Sequence, residues 1–384
     1  MLLEICNIPS PSHGEAPLTH HILTKLAHTP QLNMTCRQLD NSFIILPKSR
    51  PSVVSPPMQR HSLAKMRKKR PTKRPHIAIV GHLDVVPAHF LAQFKQNRVY
   101  GAGASDMKAG IAVMITMLTE IIPKLATPYQ LSFIFYDCEE VADMRTNGLY
   151  RLIRKFPAYF KSIDLAIVAE PTDNTIQLGC VGSYHAEVIF KGKRAHSARP
   201  WDGSNALSRA STFIRNISML KPKKRRLWGV DFFDVISITE SASEPGKTTL
   251  PAWWKANVNF RCTPYYSKKA AIDRFKYLLQ QAGAVRENSA QFNIWSRAPA
   301  GSVIQTALFD QIIDQLDRPK AAKQAWTDVA QLSALNIPAF NYGPGSTAQC
   351  HLANEYVPLN NVVRYTQNLI KVLFPKTSTS PKTP

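Results

Sequence analysis

Residues 75–87 read PHIAIVGHLDVVP, and this stretch decides the fold. Its run of β-branched and other apolar residues, with proline at both ends, predicts a buried strand. His82 and Asp84 stand at the end of the run, and residues two apart in an extended segment point the same way. In open α/β sheets, ligands bind at the carboxyl ends of the strands. The stretch therefore predicts a sheet strand with a polar site at its end.

Two more apolar runs end in acidic residues. YQLSFIFYDCEE ends in Glu139 and Glu140, and SIDLAIVAEPT reaches Glu170 just before a proline. Both patterns predict buried strands, and helical patterns alternate with them along the chain. This alternation indicates an α/β domain with a mixed, mostly parallel sheet flanked by helices.

The pattern changes near Gly182. From there, half-exposed antiparallel strands and amphipathic helices follow in the order β-α-β-β-α-β. This order predicts an inserted ferredoxin-like α+β domain over residues 182–293. Residues 1–181 and 294–384 would form the domain that carries the site. Within that domain, residues 47–75 are rich in proline and basic side chains, and we expect a disordered loop.

The chain is strongly basic. Its 384 residues carry a formal charge of +22, from 48 basic and 26 acidic side chains. Basic residues cluster in residues 60–74 and again in Lys221–Arg226. Such a chain could bind nucleic acid or anionic metabolites. Neither cluster is interleaved with aromatic residues, which disfavours nucleic acid as a partner, and we interpret both as solvated loops.

The spacing of the cysteines and the N-terminal sequence indicate the cellular compartment of the protein. The six cysteines lie far apart and form no CxxC pair, which is typical of reduced thiols. The N-terminal residues lack the basic region of a secretory signal. No apolar run is long enough to span a membrane. These observations predict a cytoplasmic protein without a membrane partner.

Asp106 is a candidate metal ligand with a plain alternative. It follows Gly101 and Gly103 and opens a helical pattern. Aspartate is favoured as a helix N-cap, so a capping role is open. The glycines also allow a close approach of the backbone, as a buried site would need. In that case, the two carboxylate oxygens could bridge two metal ions.

The adjacent glutamates are candidates for two different tasks. Neighbours in an extended segment point to opposite sides, so one of Glu139 and Glu140 could hold metal while the other acts as a general base. They could also be surface glutamates at a helix start. Glu170 could be a turn residue, and His351, in a glycine-rich loop, could be a structural or solvated histidine.

A charge count favours a site for two metal ions. The carboxylates of Asp106, Glu140 and Glu170, set against two divalent ions, leave one positive charge that a bridging hydroxide would neutralise. The imidazoles of His82 and His351 complete a set that suits zinc or a similar borderline ion. Without metal, the carboxylates would repel one another in a shared pocket.

Eight motifs are spread along most of the chain, from residue 81 to residue 358. In chain order they are GHLDVVP, VYGAGASDMKAGIAVM, YDCEEV, DLAIVAEPT, GKRAHSARP, VNFRCTP, AWTDVA and NYGPGSTAQCHLANEYVP. In this order they resemble the di-zinc aminoacylase and carboxypeptidase family. The resemblance implies a zinc-peptidase-like catalytic domain and two divalent metal ions, zinc or alternatively cobalt. It also implies a homodimer that forms through the inserted domain.

The resemblance implies a metal-binding role for five positions. His82 and Glu170 would hold one ion. Glu140 and His351 would hold the other. Asp106 would bridge both ions.

The resemblance also implies catalytic and substrate-binding roles. Asp84 would orient the first histidine ligand, and Glu139 would be the general base. His196 would reach the active site of the partner subunit and stabilise the oxyanion. Arg261 would bind a carboxylate of the substrate, and Thr327, in AWTDVA, is a second candidate for substrate contact.

The motifs look most like one branch of the family, which removes succinyl groups. The implied reaction is cleavage of N-succinyl-LL-2,6-diaminopimelate, a small anionic acyl-amino acid, to succinate and LL-2,6-diaminopimelate in lysine biosynthesis. The alternatives are an acetylornithine deacetylase or another N-acyl-amino-acid deacylase or dipeptidase. Val181 and Thr248 depart from the branch at positions expected to touch substrate, so the acyl group stays open.

Overall fold

The computed structural model describes residues 1–48, 74–86, 88–141 and 143–375. Most of the predicted loop over residues 47–75 lies outside these ranges. The chain divides into two compact units. The first unit comprises Met1–Gln177, Val303–Lys320 and Gln331–Pro384, and the second comprises Leu178–Ser302 and Ala321–Ala330.

The described residues form sixteen strands and ten α-helices. In chain order the strands are β1 (Met34–Leu39), β2 (Ser42–Pro47), β3 (His76–His82), β4 (Gln93–Lys95), β5 (Arg98–Tyr100), β6 (Gln130–Tyr136), β7 (Leu165–Val168), β8 (Ile176–Leu178), β9 (Gly182–Lys191), β10 (Lys223–Leu227), β11 (Val230–Ser243), β12 (Trp253–Cys262), β13 (Ala290–Ala298), β14 (Lys320–Ala322), β15 (Ala339–Asn341) and β16 (Tyr356–Pro358). The α-helices are α1 (Leu2–Cys6), α2 (Ala16–Ala27), α3 (Ala109–Thr116), α4 (Gly148–Lys155), α5 (Pro157–Phe160), α6 (Ala206–Met219), α7 (Lys268–Ala282), α8 (Ala307–Leu316), α9 (Val329–Ala334) and α10 (Leu359–Leu373). Among the helices of the described ranges, none is both long and apolar enough to cross a membrane.

The larger sheet has eight strands in the order β1-β2-β6-β3-β7-β15-β8-β14. β3 runs parallel to both β6 and β7, and β15 runs parallel to β7. The hairpin of β1 and β2 joins β6 in antiparallel fashion. Every residue of β3 is buried, as expected of a parallel strand that is covered on both faces. The predicted mixed, mostly parallel α/β sheet is therefore confirmed.

The second unit contains a five-stranded antiparallel sheet in the order β10-β11-β12-β9-β13. Helices α6 and α7 share an apolar core with one face of this sheet. Apart from β10, the elements follow as β9-α6-β11-β12-α7-β13, which is the predicted β-α-β-β-α-β order. The predicted ferredoxin-like class is therefore confirmed, with β10 added as a hairpin strand at one edge.

The second unit is longer than the predicted insertion over residues 182–293. Strand β13 pairs with β9 as far as Ala298, which lies opposite Ser183. Because this pairing holds the chain in the sheet, the unit extends to Ser302. Residues 321–330, which the prediction placed in the other domain, also belong to it.

The prediction of a solvated loop over Lys221–Arg226 is wrong. Most of this basic run forms β10, which pairs with β11. Asp231 on β11 forms ion pairs with Lys224 and Arg226 at 2.7 and 3.2 Å. The neighbouring strand thus supplies the negative charge that lets a basic segment adopt an extended structure.

Gly110 allows α3 to pack closely against the segment after β7. A Cβ atom at this position would lie 2.6 Å from the backbone oxygen of Ala169 and 2.9 Å from its Cβ atom. Alanine would improve helix propensity by about 1 kcal/mol, but overpacking costs about 1–3 kcal/mol. Since a backbone oxygen cannot rotate away, we expect Gly110→Ala to lower the free energy of unfolding in urea denaturation.

Ala112→Gly in the same helix serves as the comparison, because it changes helix propensity without a clash. We expect it to lose about 1 kcal/mol of helix propensity and about 0.8 kcal/mol from removal of a buried methyl group. A Gly110→Ala protein that is more stable than the wild type would contradict the close packing.

Candidate metal centre

The five predicted metal ligands converge in the first unit. His82 is the last residue of β3, Glu140 follows β6, and Glu170 follows β7. The carboxyl ends of these parallel neighbours meet at one edge of the sheet, where α/β folds bind ligands. Asp106 comes from the loop before α3, and His351 comes from the loop before β16.

Asp106 lies between two pairs of side chains. Its Oδ1 atom is 3.2 Å from Nε2 of His82, which is 3.8 Å from Oε1 of Glu170. Its Oδ2 atom is 3.6 Å from Nε2 of His351, which is 3.0 Å from Oε1 of Glu140. The ligand atoms of His82, Asp106 and Glu140 all lie within 4.8 Å of one another. One carboxylate therefore has a histidine and a glutamate on each side.

The cluster stabilises positive charge. Burial of the imidazole acts against protonation, but the carboxylates of Asp106 and Asp84 raise the pKa of His82 well above its ordinary value. A hydrogen bond with Glu140 raises the pKa of His351 to about 8. Divalent cations could supply this positive charge in place of protons. Carboxylate oxygens and imidazole nitrogens are also donors that zinc accepts.

The two adjacent glutamates act on different parts of the cluster. Glu140 contacts His351 directly. The charge of Glu139, which is half-buried, contributes to the raised pKa of His82. The neighbours thus occupy separate positions, as a division between metal ligand and base would require.

Asp84 has a second task besides the predicted orientation of His82. The Nδ1 atom of His82 lies 2.9 Å from the backbone oxygen of Asp84 and 3.5 Å from its Oδ1 atom. The Asp84 carboxylate also accepts the N–H groups of Glu139 and Glu140, at 2.9 and 3.0 Å, and the hydroxyl of Ser12. Burial would raise the pKa of Asp84, but hydrogen bonds with His82 and these N–H groups lower it to about 2. A buried carboxylate thus holds the loop that carries both glutamates.

The segment around Asp106 is not the start of a helix. Asp106 has a φ of −118° and a ψ of 94°, and its peptide bond to Met107 is cis. Helix α3 begins at Ala109 with Lys108 as its N-cap. The alternative that Asp106 caps this helix is therefore wrong.

Glu355 holds the Asp106 segment, although it is absent from the predicted site. It is fully buried. Its Oε2 atom accepts the N–H of Gly103, and its Oε1 atom accepts those of Ser105 and Asp106, each at 2.7 Å. Burial raises the pKa of Glu355 to about 7, against the lowering effect of these donors. Its only signal in the sequence is a position four residues after His351, which does not distinguish it from an exposed glutamate.

Three predicted residues belong to the second unit, whereas the five proposed metal ligands belong to the first. His196 is exposed, and its Nδ1 atom accepts the N–H of Ala198 at 3.0 Å, so the proton of the neutral ring lies on Nε2. Arg261 is half-buried near the end of β12. Thr327 is buried.

Comparison with known proteins identifies the family. A model described as "Peptidase family M20/M25/M40" matches residues 78–374. The chain belongs to this family. The resemblance inferred from the motifs is therefore confirmed. A succinyl-diaminopimelate desuccinylase of Corynebacterium glutamicum is 30% identical over 291 residues, which cover 74% of this chain and 77% of that protein.

Solved structures of other proteins share the fold of this family member. A tripeptidase of Staphylococcus aureus has a TM-score of 0.71 at 15% identity and covers 97% of this chain and 95% of its own. A dinuclear metal-binding peptidase of the M20 family from Bacillus subtilis has a TM-score of 0.66 at 17% identity, covering 97% of this chain and 96% of its own. At these low sequence identities, the comparison shows a shared fold and no more.

The contacts of Glu355 predict that its two acceptor oxygens support metal binding by holding the segment of Asp106. In Glu355→Gln, the amide would place N–H groups against at least one backbone donor, and a buried unsatisfied donor costs about 1–3 kcal/mol. Loss of a residue that supports a ligand typically weakens metal binding about 10–100-fold. We expect both a lower free energy of unfolding of the metal-free protein and a weaker affinity for zinc, measured by competition with a chromophoric chelator.

Glu120→Gln provides the control, because Glu120 is exposed and, among the described residues, forms an ion pair only with the nearby Lys124. It should leave both quantities at the wild-type value. Unchanged zinc affinity in Glu355→Gln would show that this glutamate does not support the centre.

Proposed function

We propose that this protein hydrolyses the amide bond of N-succinyl-LL-2,6-diaminopimelate, releasing succinate and LL-2,6-diaminopimelate for lysine biosynthesis. The observation that carries the proposal is the placement of Asp106 between two histidine–glutamate pairs, in an M20 family member. The desuccinylase of Corynebacterium glutamicum, at 30% identity over most of both chains, supports the choice of substrate.

In this proposal, the cluster binds two divalent metal ions. His82 and Glu170 would hold one ion, Glu140 and His351 would hold the other, and Asp106 would serve as a ligand to both. The mixed imidazole and carboxylate donors favour zinc, and cobalt would fit the same donors. When bound, the ions would lower the pKa of water and polarise the amide carbonyl.

Glu139 would act as the general base. It would take a proton from the attacking water and deliver it to the nitrogen of the leaving amine. Asp84 supports this role, because its carboxylate fixes the backbone N–H of Glu139 at 2.9 Å. The base is thereby held while its side chain stays half-buried and able to meet solvent.

His196 would stabilise the oxyanion in a homodimer. The ring donates from Nε2, because Nδ1 accepts the N–H of Ala198. The side chain is exposed in its own unit and so is free to serve the site of a second copy of the chain. A preorganised donor of this kind is worth several kcal/mol of transition-state stabilisation.

Arg261 and Thr327 would contact the substrate. The substrate carries three carboxylates and one ammonium, so its net charge is negative. A guanidinium suits such an anion because its planar donors match a carboxylate. The basic balance of the chain would further favour encounter with the substrate. The cytoplasm, which holds this biosynthetic route and keeps thiols reduced, is the proposed location.

The proposal is tested by turnover of three substrate types on the zinc-loaded protein. We expect kcat/KM for N-succinyl-LL-2,6-diaminopimelate to exceed that for N-acetylornithine and for a dipeptide by at least about tenfold, since both analogues lack the succinyl carboxylate and would leave its polar partners in the site unpaired. Chelation should abolish turnover, and added zinc should restore it. Faster turnover of the acetyl substrate would reject desuccinylation in favour of a sister deacylase.

The adjacent glutamates provide a matched pair of variants. We expect Glu139→Gln to keep both metal ions and to lose about 10²–10⁴ in kcat, the usual contribution of a general base. Glu140→Gln should instead lose metal, because it removes a proposed ligand. Metal content by atomic emission and single-turnover rates would separate the two. Normal turnover in Glu139→Gln would exclude it as the base.

A further inference from the structure

The face of the second sheet that lies away from α6 and α7 carries a connected row of polar side chains. Cross-strand pairing places Arg261 opposite Ser183, and Asn259 opposite His185. Asn257 lies two residues further along β12 and therefore points to the same side. We call these five residues the polar row.

Arg261 is the cation at one end of this row. Its Nε atom donates to Oδ1 of Asn259 at 2.9 Å. Among the described residues, its terminal nitrogens meet no hydrogen-bond acceptor and it forms no ion pair. Burial lowers the pKa of Arg261, yet a guanidinium stays protonated in proteins. The half-buried guanidinium of Arg261 can therefore donate hydrogen bonds to a ligand from its two terminal nitrogens.

Asn259 is oriented by its other contacts. Its Nδ2 atom donates to the backbone oxygen of Tyr184 at 3.1 Å and to Oγ of Ser183 at 3.2 Å, and it lies 3.0 Å from Nε2 of His185. A backbone oxygen can only accept, so the amide nitrogen must face it. The amide oxygen must then face Arg261. The direction of the Asn259 side chain is therefore set by the sheet and not by Arg261.

The surroundings of His185 within the row oppose a positive charge on its ring. The amide nitrogens of Asn257 and Asn259 face its two ring nitrogens at 3.1 and 3.0 Å, so an imidazolium would meet donors on both sides. Burial, and then the charge of Arg261, lower its pKa. Its ring also packs against Trp295, with the ring centroids 5.1 Å apart. Arg261 therefore remains the charged member of the row.

Two β-bulges support the far end of the row. The register shifts between Ile238 and Glu240 on β11 and between Ile294 and Ser296 on β13. The residues at these shifts, Thr239 and Trp295, both hydrogen-bond to Asn257, at 2.7 and 3.2 Å. Bulges commonly re-aim side chains beside functional sites.

We propose that Asn259 is a positioning residue whose uncharged oxygen orients Arg261 and leaves the guanidinium charge available for a carboxylate of the substrate. Because Asn259 occupies Nε, the carboxylate would meet the edge formed by the two terminal nitrogens. An acidic residue at this position would instead neutralise the guanidinium and compete with the substrate. This inference rests on the proposed function, in which Arg261 binds a substrate carboxylate.

Asn259→Asp and Asn257→Asp test the inference as a matched pair. Both changes place the same charge on the same strand and face, but in the structure only residue 259 contacts Arg261. With N-succinyl-LL-2,6-diaminopimelate on the zinc-loaded protein, we expect Asn259→Asp to raise KM at least about tenfold with kcat within about threefold. Asn257→Asp should raise KM by less than about threefold.

Two further variants exclude a general disturbance of the fold. Asn259→Ser keeps the position uncharged, so its KM should lie between those of the wild type and Asn259→Asp. In an Arg261→Met background, Asn259→Asp should raise KM no further, because the charge that it neutralises is gone. Circular dichroism and thermal melting would identify any variant that fails to fold. The KM values of the folded variants would then decide whether Asn259 positions Arg261.

The outcomes separate this inference from the proposed function. A wild-type KM in Asn259→Asp, equal increases in both aspartate variants, or a further increase in the Arg261→Met background would overturn the role of Asn259. If the wild type cleaves another acyl-amino acid instead, desuccinylation is wrong, and the same comparison of variants on that substrate still decides the role. Absence of turnover with every acyl-amino acid would reject both.

Discussion

The candidate metal centre depends on buried carboxylates that accept hydrogen bonds from backbone N–H groups. Asp84 holds the loop of Glu139 and Glu140 in this way, and Glu355 holds the segment of Asp106. Hydrogen bonds to a carboxylate are short and about twice as strong as neutral ones. In a buried site, a carboxylate or an N–H group without a hydrogen bond would lower the stability of the fold. The positions of the proposed ligands are therefore set by acids that are not ligands themselves.

In the second unit, an uncharged side chain orients a charged one, which is the reverse of the arrangement in the first unit. There a neutral amide, Asn259, holds a cation, Arg261, whereas in the first unit anions hold neutral donors. The difference follows from the charge that each proposed site has to present to its ligand. A carboxylate beside Arg261 would cancel the charge that an anionic substrate needs. The carboxylates proposed as ligands in the first unit, in contrast, are oxygen donors of the kind that suits divalent cations.

The sequence predicts the parts of the site that depend on local pattern. Buried parallel strands are continuous apolar runs, so β3, β6 and β7 and the acidic residues at their ends could be identified from the chain alone. Glu355 could not, because its partners lie about 250 residues away and its own surroundings resemble those of an exposed glutamate. Strand β10 was missed for a related reason, since the acids that neutralise it become neighbours only in the folded hairpin. The roles of His196 and Arg261 came from family resemblance and not from the pattern around them.

The order of the contacts along the chain determines when the candidate metal centre can form during synthesis. Four of the proposed ligands, from His82 to Glu170, leave the ribosome well before His351 and Glu355. Until then, the backbone donors of residues 103, 105 and 106 lack their acceptor and the cluster lacks one of its histidines. A nascent chain thus lacks the complete set of proposed ligands, and the support of the Asp106 backbone, until its last segment has been synthesised.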